Sequence, residues 1–330
     1  MVTTDFRGYH GCYQQSLESS DHQVTPYIGL RTYHLPTRLR RLVSTRLAAR
    51  TGSPVDRNAF ERRRLDAFLR HRNLGSTLVL FINGQQLADN TILDTIRRNG
   101  GRSALWLLDD VGVLPTADLD LESFDLLASY SRLDSLELSC RRPCAYVPQG
   151  FDGSVVGRAT TRKGAPLMVG SPGNRRMSFL QSFLASGIDI ELIGRYWPDV
   201  VTPDPHVEMN RRDVSLHDVA GMSSEARVCL NVHQPSSTTG INPRTFEIAG
   251  AGGLLVSDNA EVGQFFEADR EALLWSDDGE VPDLVRKALR DEAWARRLAE
   301  AGLRRAQAQH TLTHRFAELF KIWGLTTRVS

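Results

Sequence analysis

At 330 residues the chain is long enough to fold as two domains with full cores. Its 41% apolar and 24% charged content is that of an ordinary globular protein, and a net charge of +1 gives no electrostatic case for nucleic acid or an anionic membrane as partner. Four scattered Cys, with Cys140 and Cys144 separated by three residues and no second pair, argue against a zinc site and fit a reducing cytosol. Met1–Gly8 lacks the layout of a signal peptide and no apolar run reaches membrane-spanning length, so a cytoplasmic location is expected.

The first 75 residues carry weak signals. Tyr9–Ser20 reads as a helix and Gln23–Leu30 as a strand. Thr37–Arg50 and Phe60–His71 are Arg-rich helices with apolar residues at helical spacing, their Arg side chains assigned to a solvated face. The opening MVTTDFRG is short and polar. A first strand there is expected to be degenerate, or else the true start lies upstream.

Strands and helices then alternate. Thr77–Ile82 is a strand ending in Asn83-Gly84, Ala88–Asn99 an amphipathic helix, and Ser103–Leu108 a strand ending in Asp109-Asp110. Phe124–Ala128 and Ala145–Val147 follow as strands. Phe151–Ala165 reads as a linker. A second alternating block begins with the strand Pro166–Val169, the turn Gly170–Arg176 and the helix Met177–Ser186. Next come the strand Ile188–Ile193, the helix His217–Ser223 and the strand Ala226–Val232. A short helix over 243–251, the strand Leu254–Ser257, a helix Val262–Phe266 and the strand Ala272–Trp275 follow. Val281–Ala288, Glu292–His310 and Arg315–Ile322 are helices. Short apolar strands alternating with helices predict α/β halves with parallel sheets, whose ligands lie beyond the carboxyl ends of the strands. The expected division is 1–150, the linker 151–165, a second Rossmann-like domain over 166–310, and a closing helix within 311–330 that packs back toward the first domain.

Two stretches are suited to phosphate. Asn242 can cap the helix that follows, Pro243 suits its first position, and Gly252-Gly253 stop it. Such a helix start favours an anion. Arg244 adds a charge there, and Glu247, nearly one turn on, can accept from vicinal hydroxyls or simply pair with Arg244. Gly170–Arg176 offers turn amides with Arg175 and Arg176, although it is neither a Walker motif nor GxGxxG. Alone it is an ordinary strand–helix connection. Tyr196 or Trp197, after Gly194, can stack a base or fill the core. His310 and His314 have the spacing of a metal pair but lack a third ligand, so no metal site is assigned.

The stretch Ala226–Phe266 resembles the nucleotide-binding core of the CgeB-like, group 1 glycosyltransferases. The resemblance rests on Asn231, His233, Asn242, Arg244, Phe246, Glu247, Gly252, Gly253 and Asp258. Trp106 with Asp109-Asp110, and the tail from Ala301-Gly302 to His314-Arg315, resemble other parts of the family. It implies a GT-B fold, with two facing Rossmann-like domains and a cleft between them. It also implies transfer of a sugar from a nucleotide-diphosphate donor to a small-molecule, glycan or other hydroxyl acceptor, with no cofactor and no metal. Gly170, Arg175, Arg176, Tyr196, His233, Asn242, Arg244, Thr245 and Glu247 are the expected donor-binding residues. Asp109 or Asp110, with His10 behind them, are the expected catalytic bases. Many relatives carry an acidic residue eight positions before Glu247, where this chain has Thr239. The alternatives are a catalytically idle nucleotide-sugar-binding or partner protein, and a sugar-nucleotide epimerase of the same fold.

Overall fold

The computed structural model describes residues 1–4, 9–29, 57–113, 121–155, 164–194, 196–210, 214–234 and 239–325. The chain divides into two compact units, one of Met1–Tyr130 with Asp134–Tyr146, the other of Ser131–Leu133 with Val147–Ser330.

The first unit holds β1 (Val2–Thr4), β2 (Tyr27–Gly29), β3 (Leu78–Ile82), β4 (Arg102–Leu107), β5 (Leu126–Ser129) and β6 (Cys144–Tyr146). They form one sheet in the order β2-β1-β3-β4-β5-β6, and every pairing is parallel. The expectation of a degenerate first strand is corrected: β1 is an interior strand, with Val2 opposite both Tyr27 and Phe81. Its polarity misled because the buried Val2 and the small Thr3 carry little apolar signal.

The second unit holds β7 (Leu167–Val169), β8 (Ile190–Ile193), β9 (Val207–Asn210), β10 (Cys229–Asn231), β11 (Leu255–Ser257) and β12 (Leu273–Leu274). Their order is β12-β11-β10-β7-β8-β9, again parallel throughout. Successive side chains of a strand point to opposite faces, and both faces are filled here. Met168, Leu192, Leu230 and Val256 join Phe179, Trp197 and Trp275 in one core. Leu167, Val169, Ile193, Cys229 and Leu255 join Phe151, Phe246 and Phe266 in another. A sheet buried on both faces explains why its strands read as continuous apolar runs rather than alternating ones.

Several boundaries differ from those the sequence predicts. The first helix is Tyr9–Glu18, the next described one Arg57–Arg70, and the helix after β3 is Asn90–Arg98, capped by Asp89. The helix expected over Thr37–Arg50 lies outside the described residues. Val262–Phe266 is instead a short 3-10 turn over Ala260–Gln264. The helix Arg132–Ser139 and the edge strand β9 were not predicted, since neither carries a clear apolar period.

Of the expected linker 151–165, residues 156–163 lie outside the described residues, and the described ones group with the second unit. Phe151 is buried in the second unit's core, and its ring fills the space in which a side chain on Gly250 would stand, 2.3 Å from where a Cβ would lie. Its backbone pairs with that of Thr311, and Leu312 N–H donates to its carbonyl at 2.8 Å. The closing helix Leu312–Ile322, expected to pack back toward the first domain, groups with the second unit. Arg315 fixes it there by donating to the Gln149 carbonyl at 3.0 Å and to His310 Nδ1 at 2.8 Å.

Candidate functional site

In an open parallel sheet, ligands gather where the strand order reverses, beyond the carboxyl ends of the strands. The second sheet reverses between β7 and β10. Those two strands lead directly into Gly170 and His233, two of the residues expected from sequence to bind a donor.

The turn after β7 is tightly built. Gly170 has φ +151°, which favours glycine. Its carbonyl accepts from Trp197 Nε1 at 2.8 Å and lies so near Gly194 that a Cβ there would stand 2.1 Å away. The helix Asn174–Leu184 then starts at Gly173, where no side chain caps it. A helix start without a side-chain cap is suited to an anion.

The two Arg side chains of this turn are engaged within the protein. Arg176 donates to the Val232 carbonyl at 2.9 Å and the Ser171 carbonyl at 2.7 Å, bracing the ends of β10 and β7 against each other. Arg175 places both Nη atoms on Asp278, at 2.7 and 2.6 Å, and also reaches Asp258 Oδ2 at 3.2 Å. Burial pushes the Asp278 carboxyl upward, but the hydrogen bonds from Arg175 and Trp275 and the charge of Arg175 outweigh it and hold the group below the usual carboxylate range.

His233 is 5% exposed. Its backbone N–H donates to Asp258 Oδ1 at 2.9 Å, and its Nδ1 stands 3.3 Å from the same oxygen. Its Nε2 is buried without a hydrogen-bond partner among the described residues. Buried nitrogen is almost always paired, so such an atom calls for an explanation.

The helix Pro243–Gly250 forms as its cap signals predict. Asn242 accepts from the Thr245 amide at 3.2 Å and Pro243 takes the first position. Asn231, the last residue of β10, ties strand to helix. Its Nδ2 donates to Asn242 Oδ1 at 3.1 Å and to Thr245 Oγ1 at 2.8 Å, and its Oδ1 accepts from Asn242 Nδ2 at 3.2 Å. Thr245 is thus fully buried in that link. Glu247, 4% exposed, is ion-paired with Arg244 on the same helix. Of the two adjacent aromatics, Trp197 is core and Tyr196 is 49% exposed, so only Tyr196 presents an open ring.

Thr239 is buried. Its Oγ1 accepts from the Leu133 amide at 3.0 Å and lies 3.2 Å from Ser131 Oγ, residues that group with the second unit. In the first unit, Asp109 follows β4 and accepts from Asn83 Nδ2 at 2.7 Å. Burial raises its carboxyl above the usual range, opposed in part by that bond. Asp110 is buried, and His10 is half-buried on the first helix. Among the described residues no group of three or more His, Cys, Asp or Glu is placed to hold a metal, and no helix is long and apolar enough to cross a membrane.

Residues 175–321 match the family model described as "Glycosyl transferase-like". That match lies within the second unit. The group 1 resemblance read from Ala226–Phe266 falls inside that match. No curated protein sequence matches the chain. Among solved structures the chain is similar to sucrose-phosphate synthase from Thermosynechococcus elongatus, with 12% identity, a TM-score of 0.65, and coverage of 98% of this chain and 99% of that one. It is similar to Anabaena HepE in complex with UDP-glucose, with 10% identity, a TM-score of 0.63, and 98% and 99% coverage. It is also similar to an alpha-glucosyltransferase in complex with UDP and DNA, at 12%, 0.65, 97% and 98%. The chain carries the GT-B fold: two Rossmann-like units, each with a six-stranded parallel sheet.

Within the second unit, sequence reasoning singled out residues next to strand ends and helix starts. It missed Asp278 and Trp275 as supports of Arg175. Asp278 lies 103 residues from Arg175 in a run that reads as an ordinary turn, so no local signal marks the pairing.

Proposed function

We propose that this protein is a glycosyltransferase that moves a sugar from a nucleotide-diphosphate donor to a hydroxyl-bearing acceptor. The observation that carries the reading is the convergence at the reversal point of the second sheet: an uncapped helix start after Gly170, the unpartnered Nε2 of His233, and the Asn242-capped helix bearing Glu247. Three HepE structures with UDP-glucose, with UDP and glucose, and with UDP support a nucleotide sugar as the donor class.

Glycosyl transfer builds negative charge on the leaving diphosphate. Amides fixed before the reaction stabilise that charge without reorganising, and losing one such donor costs roughly 10²–10³ in rate. The amides after Gly173 supply them in this reading, and no metal is required. Glu247 accepts the ribose hydroxyls, with Arg244 holding its carboxylate in place. Tyr196 is the exposed ring for the base. Asp109 is the candidate base for the acceptor hydroxyl, with Asp110 and His10, in the same unit, as the other candidates. The raised affinity of Asp109 for protons suits that role.

One observation favours the idle-binder alternative. Arg175, Arg176 and Arg244 all bond to other parts of the protein. Release of free sugar from nucleotide sugars by the purified protein separates the two readings. A transferase hydrolyses its donor slowly without acceptor, whereas an idle binder shifts its melting temperature with nucleotide and releases nothing.

A further inference from the structure

The unused nitrogen of His233 has a defined chemical character. Two groups face Nδ1. Asp258 Oδ1 lies 3.3 Å away on a carboxylate ion-paired with Arg175. Ser257 Oγ lies 3.5 Å away, but its single proton is directed to the Asn231 carbonyl at 3.2 Å. Both neighbours therefore act as acceptors, and Nδ1 must carry the ring's proton. In the neutral ring Nε2 is then a bare lone pair. Its complement is a hydrogen-bond donor, which a sugar hydroxyl is and a diphosphate oxygen is not.

Arg175 has a second consequence for this nitrogen. With its fork on Asp278 and its Nη2 on Asp258 Oδ2, it pins the carboxylate that orients the imidazole. Outer partners of this kind fix tautomer and ring orientation in other histidine sites. Resting on the donor reading above, we infer that His233 Nε2 accepts a hydrogen bond from a hydroxyl of the donor's sugar, and that Arg175 and Asp258 are positioning residues for it rather than diphosphate ligands.

The test compares a nucleotide with its own sugar ester. Calorimetry is run with UDP and UDP-glucose, GDP and GDP-mannose, and dTDP and dTDP-glucose. His233→Asn retains an N–H where Nδ1–H points at Asp258 and removes Nε2. It is expected to weaken the nucleotide sugar about five- to tenfold, the worth of one hydrogen bond, and the bare diphosphate less than twofold. Long-range ¹⁵N NMR of the wild type is expected to show the Nδ1–H tautomer, and Arg175→Gln to shift His233 toward a mixture. Equal loss for diphosphate and sugar ester, or an Nε2–H tautomer, overturns this inference and leaves the donor reading standing. A wild-type protein that binds none of the six overturns both.

Discussion

Asn231 and Asn242 hold each other by reciprocal side-chain amide bonds of 3.1 and 3.2 Å, locking the end of β10 to the start of the helix that carries Glu247. Neither side chain is spare. Asn242 also caps the helix, and Asn231 also holds the Thr245 hydroxyl.

Asn242→Ala is therefore expected to cost more than a surface cap. A lost cap removes about 1 kcal/mol, and the stranded amide of Asn231 adds about 1–3 kcal/mol. Urea unfolding measures the sum; a loss under about 0.5 kcal/mol contradicts the linkage.

A methyl group at Gly194 would collide with the Gly170 carbonyl that Trp197 Nε1 binds. Gly194→Ala is expected to destabilise by roughly 1–3 kcal/mol, as overpacking does. It is also expected to weaken nucleotide binding, because the turn before Asn174 must shift. Gly221, where a Cβ meets nothing within 4 Å, is the control.

His310 makes stability pH-dependent. Its Nε2 faces the Phe265 carbonyl at 3.0 Å and its Nδ1 accepts from Arg315 at 2.8 Å, so a second proton would face a guanidinium. Burial first, then the Arg315 charge, lowers its pKa from 6.5 to about 4. The unfolded chain binds the proton more readily, so this contribution is full above pH 6.5 and is lost as pH falls through 6.5 toward 4. It amounts to roughly 3 kcal/mol. Gln at this position preserves both bonds without titrating. Wild-type minus His310→Gln stability, measured by urea unfolding from pH 7.5 to 4, is expected to fall with acid; a flat difference contradicts it.

Asp109 titrates above the ordinary carboxylate range. If it is the acceptor's base, kcat falls as pH drops through that raised value. Asp109→Asn is expected to lose 10²–10⁴ in kcat, the usual worth of a general base, with KM for the donor little changed. Unchanged kcat moves the role to Asp110 or His10.

The sheets were legible because apolar runs such as TLVLFI and SALWLL are buried on both faces, and the Asn242-Pro243 start because its cap chemistry is local. Val2–Thr4 was not, since two buried small or branched residues leave little apolar signal. Some partners of the candidate site residues were legible and others were not. Arg175 reads from sequence as a phosphate ligand because Asp278 is distant in the chain, whereas the pairing of Glu247 with Arg244, three residues apart on one helix, is readable locally. Helix and strand signals are written within a few residues, whereas partners across a sheet's end are set by tertiary packing.

Isothermal titration of nucleoside diphosphates into wild type and Glu247→Gln tests the donor reading most directly. Gln conserves the volume of this buried side chain, which Ala would not, and removes the charge proposed to bind ribose hydroxyls. The wild type is expected to bind at least one of UDP, GDP and dTDP, and the variant to bind it about tenfold more weakly, the effect of one charged hydrogen bond. A wild type that binds none of them, or a folded variant that binds equally well, contradicts the placement of the donor on this helix.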